Sequence, residues 1–121
     1  MKTLLLGLAL LLVTRPAAAQ WSTADKAFAA VGAAALTYDW LQTLEIAHRP
    51  DLWRETNPLM PRQPSVGRVN AMLAVAALAN VAATKWLPRV PRKIWLRAVT
   101  AGELHAVLHG IAVGCRLGTP W

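Results

Sequence analysis

Very little in this sequence can make covalent or cofactor chemistry. Among 121 residues there is one cysteine, Cys115, so neither an intramolecular disulfide nor a cysteine metal cluster can form. Cys115 therefore reads as a small apolar residue near a helix end. Serine-hydrolase, P-loop and dinucleotide-binding motifs are absent, and no cofactor is expected. His105 and His109 have the spacing of a metalloprotease helix, but Ala106, Val107 and Leu108 stand between them where the zincin pattern needs a glutamate. No nucleophile–base pair is visible either, so the chain is not expected to be an enzyme.

Negative charge is scarce as well. Six acidic residues face 13 Lys and Arg, for a net charge of +7. A nucleic-acid binder would string those cations along one polar face. Here they sit at the ends of apolar runs: Arg49, Arg54, Arg62 and Arg68, then Lys85, Arg89, Arg92, Lys93 and Arg97. That placement suits anionic lipid headgroups and argues against nucleic acid as a partner.

Apolar sequence, in contrast, is abundant. Hydrophobic residues make up 55% of the chain and the mean hydropathy is +0.35, a balance that points to the lipid bilayer as partner and solvent. Residues 1–20 read as an export signal: Lys2 as the positive start, Thr3 to Val13 as the apolar stretch, and Ala17-Ala18-Ala19 as a cleavage site before Gln20. The expected organisation is a signal peptide at 1–19 and a helical membrane domain at 20–121, in the inner (cytoplasmic) membrane of a bacterium.

Three helices are expected, making the fold an all-α, small membrane helical bundle. The first spans about 23–48, with Ser22 as N-cap, Asp25 completing an imperfect capping box, and Pro50 at its end. The second spans about 66–87 between Ser65 and Pro88. The third spans about 94–115 after a basic turn, Pro88 to Lys93. The linker at 49–64 holds Pro50, Pro58, Pro61 and Pro64, so no long helix crosses it. Trp21, Trp53, Trp86, Trp95 and Trp121 fall at segment ends or in the linker, like an interfacial belt. Gly102, Ala106, Gly110 and Gly114 form a four-residue stripe suited to close helix packing, within the chain or in a homo-oligomer.

Topology is open at this level. A cleaved signal leaves the start of the first helix outside, and three spans then put the basic turn outside, against the positive-inside rule. Two spans, with the first helix lying on the outer face, remove the conflict.

Polar residues recur at helical spacing: Asp39 and Thr43, with Gln42 beside them; Asn80 and Thr84; His105 and His109. Asp39, Asn80 and His105 lie near the middles of their helices, which predicts a polar seam with an Asp39–His105 contact. The seam reads either as structural or as a site for a proton or metal ion, with Asp39 or Glu55 completing a His105–His109 pair. Glu103 lies roughly 200° around the helix from His105 and is expected to face another helix or a subunit interface. In the linker, Glu55-Thr56-Asn57-Pro58-Leu59-Met60 predicts an Asx-turn at Asn57.

Asp39-Trp40-Leu41-Gln42-Thr43, then Glu55 to Leu59, then Pro64-Ser65 and Arg68-Val69-Asn70 resemble small membrane proteins of the uncharacterised DUF5658 type, and more closely hypothetical proteins of proteobacteria and their phages. The resemblance covers about residues 38–70 and implies a lineage, with no activity attached. The expected function is thus a structural or accessory membrane protein. An ion-handling protein and a holin-like phage lysis accessory are the alternatives.

Overall fold

A computed structural model describes residues 21–115. The export signal expected at 1–19, and Trp121, lie outside the described residues. Those residues form an all-helical three-helix bundle: α1 (Thr23–His48), α2 (Val66–Trp86) and α3 (Arg89–Ala112).

Local chemistry sets each boundary. Ser22 Oγ accepts from Asp25 N at 3.1 Å, and Asp25 Oδ2 accepts from Ser22 N at 3.2 Å. The capping box is therefore complete, with aspartate in the place of glutamate. At the other end Arg49 N bonds to the carbonyls of Glu45 and Ile46, and Pro50 cannot continue the ladder. Ser65 Oγ caps α2 by accepting from Arg68 N at 3.2 Å. Pro88 forces Leu87 into an extended conformation, with φ −66° and ψ 137°, and so ends α2.

The third helix differs from expectation at both ends. The basic turn is no turn: α3 starts at Arg89, with the first bond from Arg92 N to Pro88 O at 2.9 Å. Pro91 falls at the third helical position, where a backbone N–H has no intrahelical acceptor, so its missing donor costs nothing. The helix stops at Ala112 because Gly114 adopts φ +92°. Gly114 N bonds to Ile111 O at 3.0 Å and Cys115 N to Gly110 O at 2.9 Å, closing a Schellman motif.

The helices run up, down and up, so α1 and α3 are parallel neighbours and α2 is antiparallel to both. The main apolar core is Leu36, Met60, Val69 and Leu73, with Trp40, Leu44 and Met72 packed against it. It ties α1, the linker and the first half of α2 together. Two tryptophan–asparagine bonds fasten α2 to its neighbours: Trp40 Nε1 donates to Asn70 Oδ1 at 2.9 Å, and Trp95 Nε1 to Asn80 Oδ1 at 2.8 Å.

Of the three described helices, α2 is the one long and apolar enough to cross a membrane. It has 21 residues and a mean hydropathy of 1.5 over its apolar window, and 11% of that window is buried inside the bundle. Val75, Leu78 and Val81 are 67%, 44% and 46% exposed.

Candidate functional site

Polar contacts run the length of the α1–α3 interface. Where both helices begin, Arg92 Nη2 lies 3.7 Å from Asp25 Oδ2, each side chain 2% exposed. The Arg92 guanidinium also stacks 4.9 Å from the centre of the Trp21 ring. Further along, Thr100 Oγ1 donates to Phe28 O at 3.0 Å. Gly32 permits this approach, since a Cβ there would stand 2.8 Å from Thr100 Oγ1. Near the linker, Gln42 Nε2 donates to Cys115 O at 2.9 Å and to Val107 O at 3.4 Å. Gly110 makes room for that amide: a Cβ would lie 2.7 Å from both of its terminal atoms.

The α3 residues facing α1 are thus Arg92, Leu96, Thr100, Val107 and Gly110, with Glu103 in register between Thr100 and Val107. His105 is on a different side. No hydrogen bond or ion pair joins Asp39 to His105, so the expected contact is not formed. The reason is angular: the residue of α3 that turns toward α1 at this level is Glu103, and two residues of helix rotate the next side chain far away. Glu103 Oε2 is buried without a hydrogen-bond partner. His105 and His109 are exposed and stack on each other, with ring centres 6.4 Å apart and 17° between planes.

Asp39, Thr43, His105 and His109 nevertheless surround one space. A cavity of about 550 Å³ lies where the linker folds over the ends of α1 and α3. Asp39, Gln42, Thr43 and Ile46 form one wall; His105, Ala106, His109, Gly110 and Val113 form another. Trp53 to Pro58, Met60 and Cys115 close it. Glu55, Asn57 and Pro58 are therefore cavity residues as well as turn residues. Glu55 Oε1 accepts from the backbone of Thr56 at 2.9 Å and of Asn57 at 2.7 Å, and Asn57 Oδ1 accepts from Leu59 N at 3.0 Å, the expected Asx-turn. Glu55 N donates to Arg62 O at 2.9 Å, which pins the fold-back. Asn80 is elsewhere, engaged by Trp95.

The chemistry of this cavity is set by carboxyls. Asp39 is half-buried, and its carboxylate takes part in no hydrogen bond or ion pair among the described residues; the Asp39 backbone carbonyl accepts from Thr43 Oγ1 at 2.8 Å. Trp53 Nε1 is buried with no acceptor. Burial pushes the Cys115 thiol up from its ordinary pKa, and the negative charges of Glu45 and Glu55 push it further. No group of three or more His, Cys, Asp or Glu among the described residues is arranged to hold a metal ion.

The glycine stripe of α3 divides by position. Gly110 packs on Gln42, Ala106 lines the cavity, Gly114 ends the helix, and a Cβ at Gly102 would meet nothing within 4 Å. Sequence reading missed three participants: Trp53 as a cavity wall, Gln42 as the clamp on Cys115, and the Asp25–Arg92 pair. Asp25, Gly32, Leu36, Asp39 and Thr43 do recur at helical spacing, so the α1 face was recoverable; its partners on α3 were not. No family model, no curated protein and no solved structure matches the chain.

Proposed function

We propose that the chain is a small integral protein of the bacterial cytoplasmic membrane, a non-enzymatic accessory or binding unit whose α1–α3 seam is chiefly structural. The observation that carries this reading is α2: a 21-residue helix, apolar enough to cross a bilayer, with 11% of that stretch buried. At 1.5 Å per residue it is roughly 32 Å long, close to the hydrocarbon thickness. A core helix of a soluble protein would be covered by its neighbours. This one offers Val75, Leu78 and Val81 outward, and an apolar surface of that kind calls for lipid or a partner.

If α2 crosses, α1 and α3 are carried across beside it by the bundle's packing, although neither is apolar enough to cross alone. Only Leu87 and Pro88 separate α2 from α3. The polar contacts from Asp25–Arg92 to Gln42–Cys115 hold α1 along α3 and argue against a first helix lying apart on the surface. The polar atoms of those contacts meet inside the seam, away from lipid. The export signal expected at 1–19 would put the start of α1 outside and the linker cavity on the cytoplasmic side. The opposing bias is small: Lys26, Lys85, Arg89, Arg92, Lys93 and Arg97 at one end against Arg49, Arg54, Arg62 and Arg68 at the other. The first targeting segment usually dominates such a contest.

The test is membrane fractionation of the full-length protein with Val75→Arg beside it. The native protein is expected to stay with membranes through alkaline carbonate. An arginine at mid-span costs at least ~2.5 kcal/mol in lipid and should release or destroy the variant. On a water-facing helix the same change stays within about 0.5 kcal/mol, and a soluble, stable Val75→Arg protein would overturn the reading.

A second reading, ion handling, has one observation in its favour: Asp39, Glu55, His105 and His109 all line one cavity. With no convergent ligand triad among the described residues, that cavity suits something other than a bare metal ion.

A further inference from the structure

We infer that the linker-end cavity binds a small organic cation, an ammonium group on an apolar body, with Asp39 as counter-charge and Trp53 as aromatic wall. The inference needs the membrane reading only for the detergent in which the protein would be handled.

The volume comes first. About 550 Å³ is within the range of small-molecule sites and far beyond what a proton or single metal ion requires. The lining is mixed: Trp53, Met60 and Val113 supply apolar surface, and a few polar groups converge among them.

Charge comes second. Asp39 offers a half-buried carboxylate that lines the cavity and takes part in no hydrogen bond or ion pair among the described residues. Glu55 faces the same space from the linker, its Oε1 spent on backbone amides. Positive charge is less well placed. Arg49 leans on Glu45 at 3.7 Å, and Arg54 is exposed at the rim. The interior therefore favours a cation.

The third observation is Trp53. A tryptophan face attracts ammonium groups, most strongly where water is excluded. Its buried Nε1–H, without an acceptor, leaves a donor for a hydroxyl or carbonyl on the same ligand. An exposed histidine pair at the rim, His105 and His109, leaves entry open from the α3 side.

The test uses the full-length protein in a non-ionic detergent and three probes of one shape: 2-phenylethylammonium, 2-phenylethanol and 3-phenylpropanoate. Titration calorimetry, corrected for protein-free micelles, should show the ammonium binding at least about tenfold more tightly than the other two. Asp39→Asn should abolish that preference, and Trp53→Leu should weaken the ammonium about threefold or more. Arg54→Gln should strengthen it, because a competing charge leaves the rim. Equal affinity for all three probes, no binding of the ammonium, or an unchanged preference in Asp39→Asn would each overturn the inference. Should Asp39→Asn fail to fold, the native protein's ranking of the three probes still decides. Membrane fractionation reads insertion independently of Asp39, so failure here and failure of the membrane reading remain distinct.

Discussion

The α1–α3 interface and the outer face of α2 are built from opposite materials. Along the first, named polar atoms meet: Asp25 with Arg92, Thr100 with the Phe28 carbonyl, Gln42 with the Cys115 carbonyl. Along the second, Val75, Leu78 and Val81 stand exposed. In water this arrangement would be inverted, with polar atoms outside and apolar ones paired. In lipid it is the economical one, because apolar surface gains nothing by pairing there, whereas polar groups have no other place to be satisfied. Hydrogen bonds and close backbone approach then specify which helices are neighbours, and the apolar face specifies the solvent.

The contrast is most exposed to failure at Arg92. Arg92→Leu takes away the guanidinium 3.7 Å from the buried Asp25 carboxylate, and removing one partner of a buried pair is far more damaging than removing both. The variant is expected to lose its cooperative thermal transition, followed by circular dichroism in detergent. The double variant Asp25→Leu with Arg92→Leu should regain most of it. If the single and double variants melt alike, the ion pair is not part of the seam's cohesion.

Smaller effects separate two glycines of the same stripe. Gly110→Val must displace the Gln42 amide, which is buried and held by Cys115 O, and should cost about 1–3 kcal/mol. Gly102 faces open space, so Gly102→Ala should stabilise the isolated bundle by about 0.5–1 kcal/mol by removing a helical glycine. A loss at Gly102 instead would place a second copy of the chain against that face and extend the seam between subunits.

What the sequence disclosed, and what it hid, divides along the same line. Helix caps are local, and Ser22, Ser65, Pro50 and Pro88 mark boundaries that the structure keeps. The Asx-turn at Asn57 is local too. Pro91 misled because proline is tolerated in a first helical turn, where Pro88 to Lys93 read as a loop. The seam was legible in depth but not in angle. Asp39 and the middle of α3 do share a level, yet Glu103 and not His105 turns inward, and the roll of one helix against another is decided by packing at sites such as Gly32 and Gly110. Asn70 and Asn80 illustrate the same limit. Each pairs with a tryptophan on a different helix, and nothing in the spacing of either residue names its partner.

The claim that α2 is solvated by lipid has a direct probe. Nitroxide labels placed singly at Val75, Leu78 and Val81 in a Cys115→Ser background, in lipid vesicles, would report collision with apolar oxygen and with a water-soluble nickel chelate. High oxygen and low nickel accessibility at all three positions, with the deepest value among them mid-bilayer, is the predicted result. Nickel accessibility equal to that of a label on the exposed linker, at Leu59 for instance, would contradict it and return α2 to water.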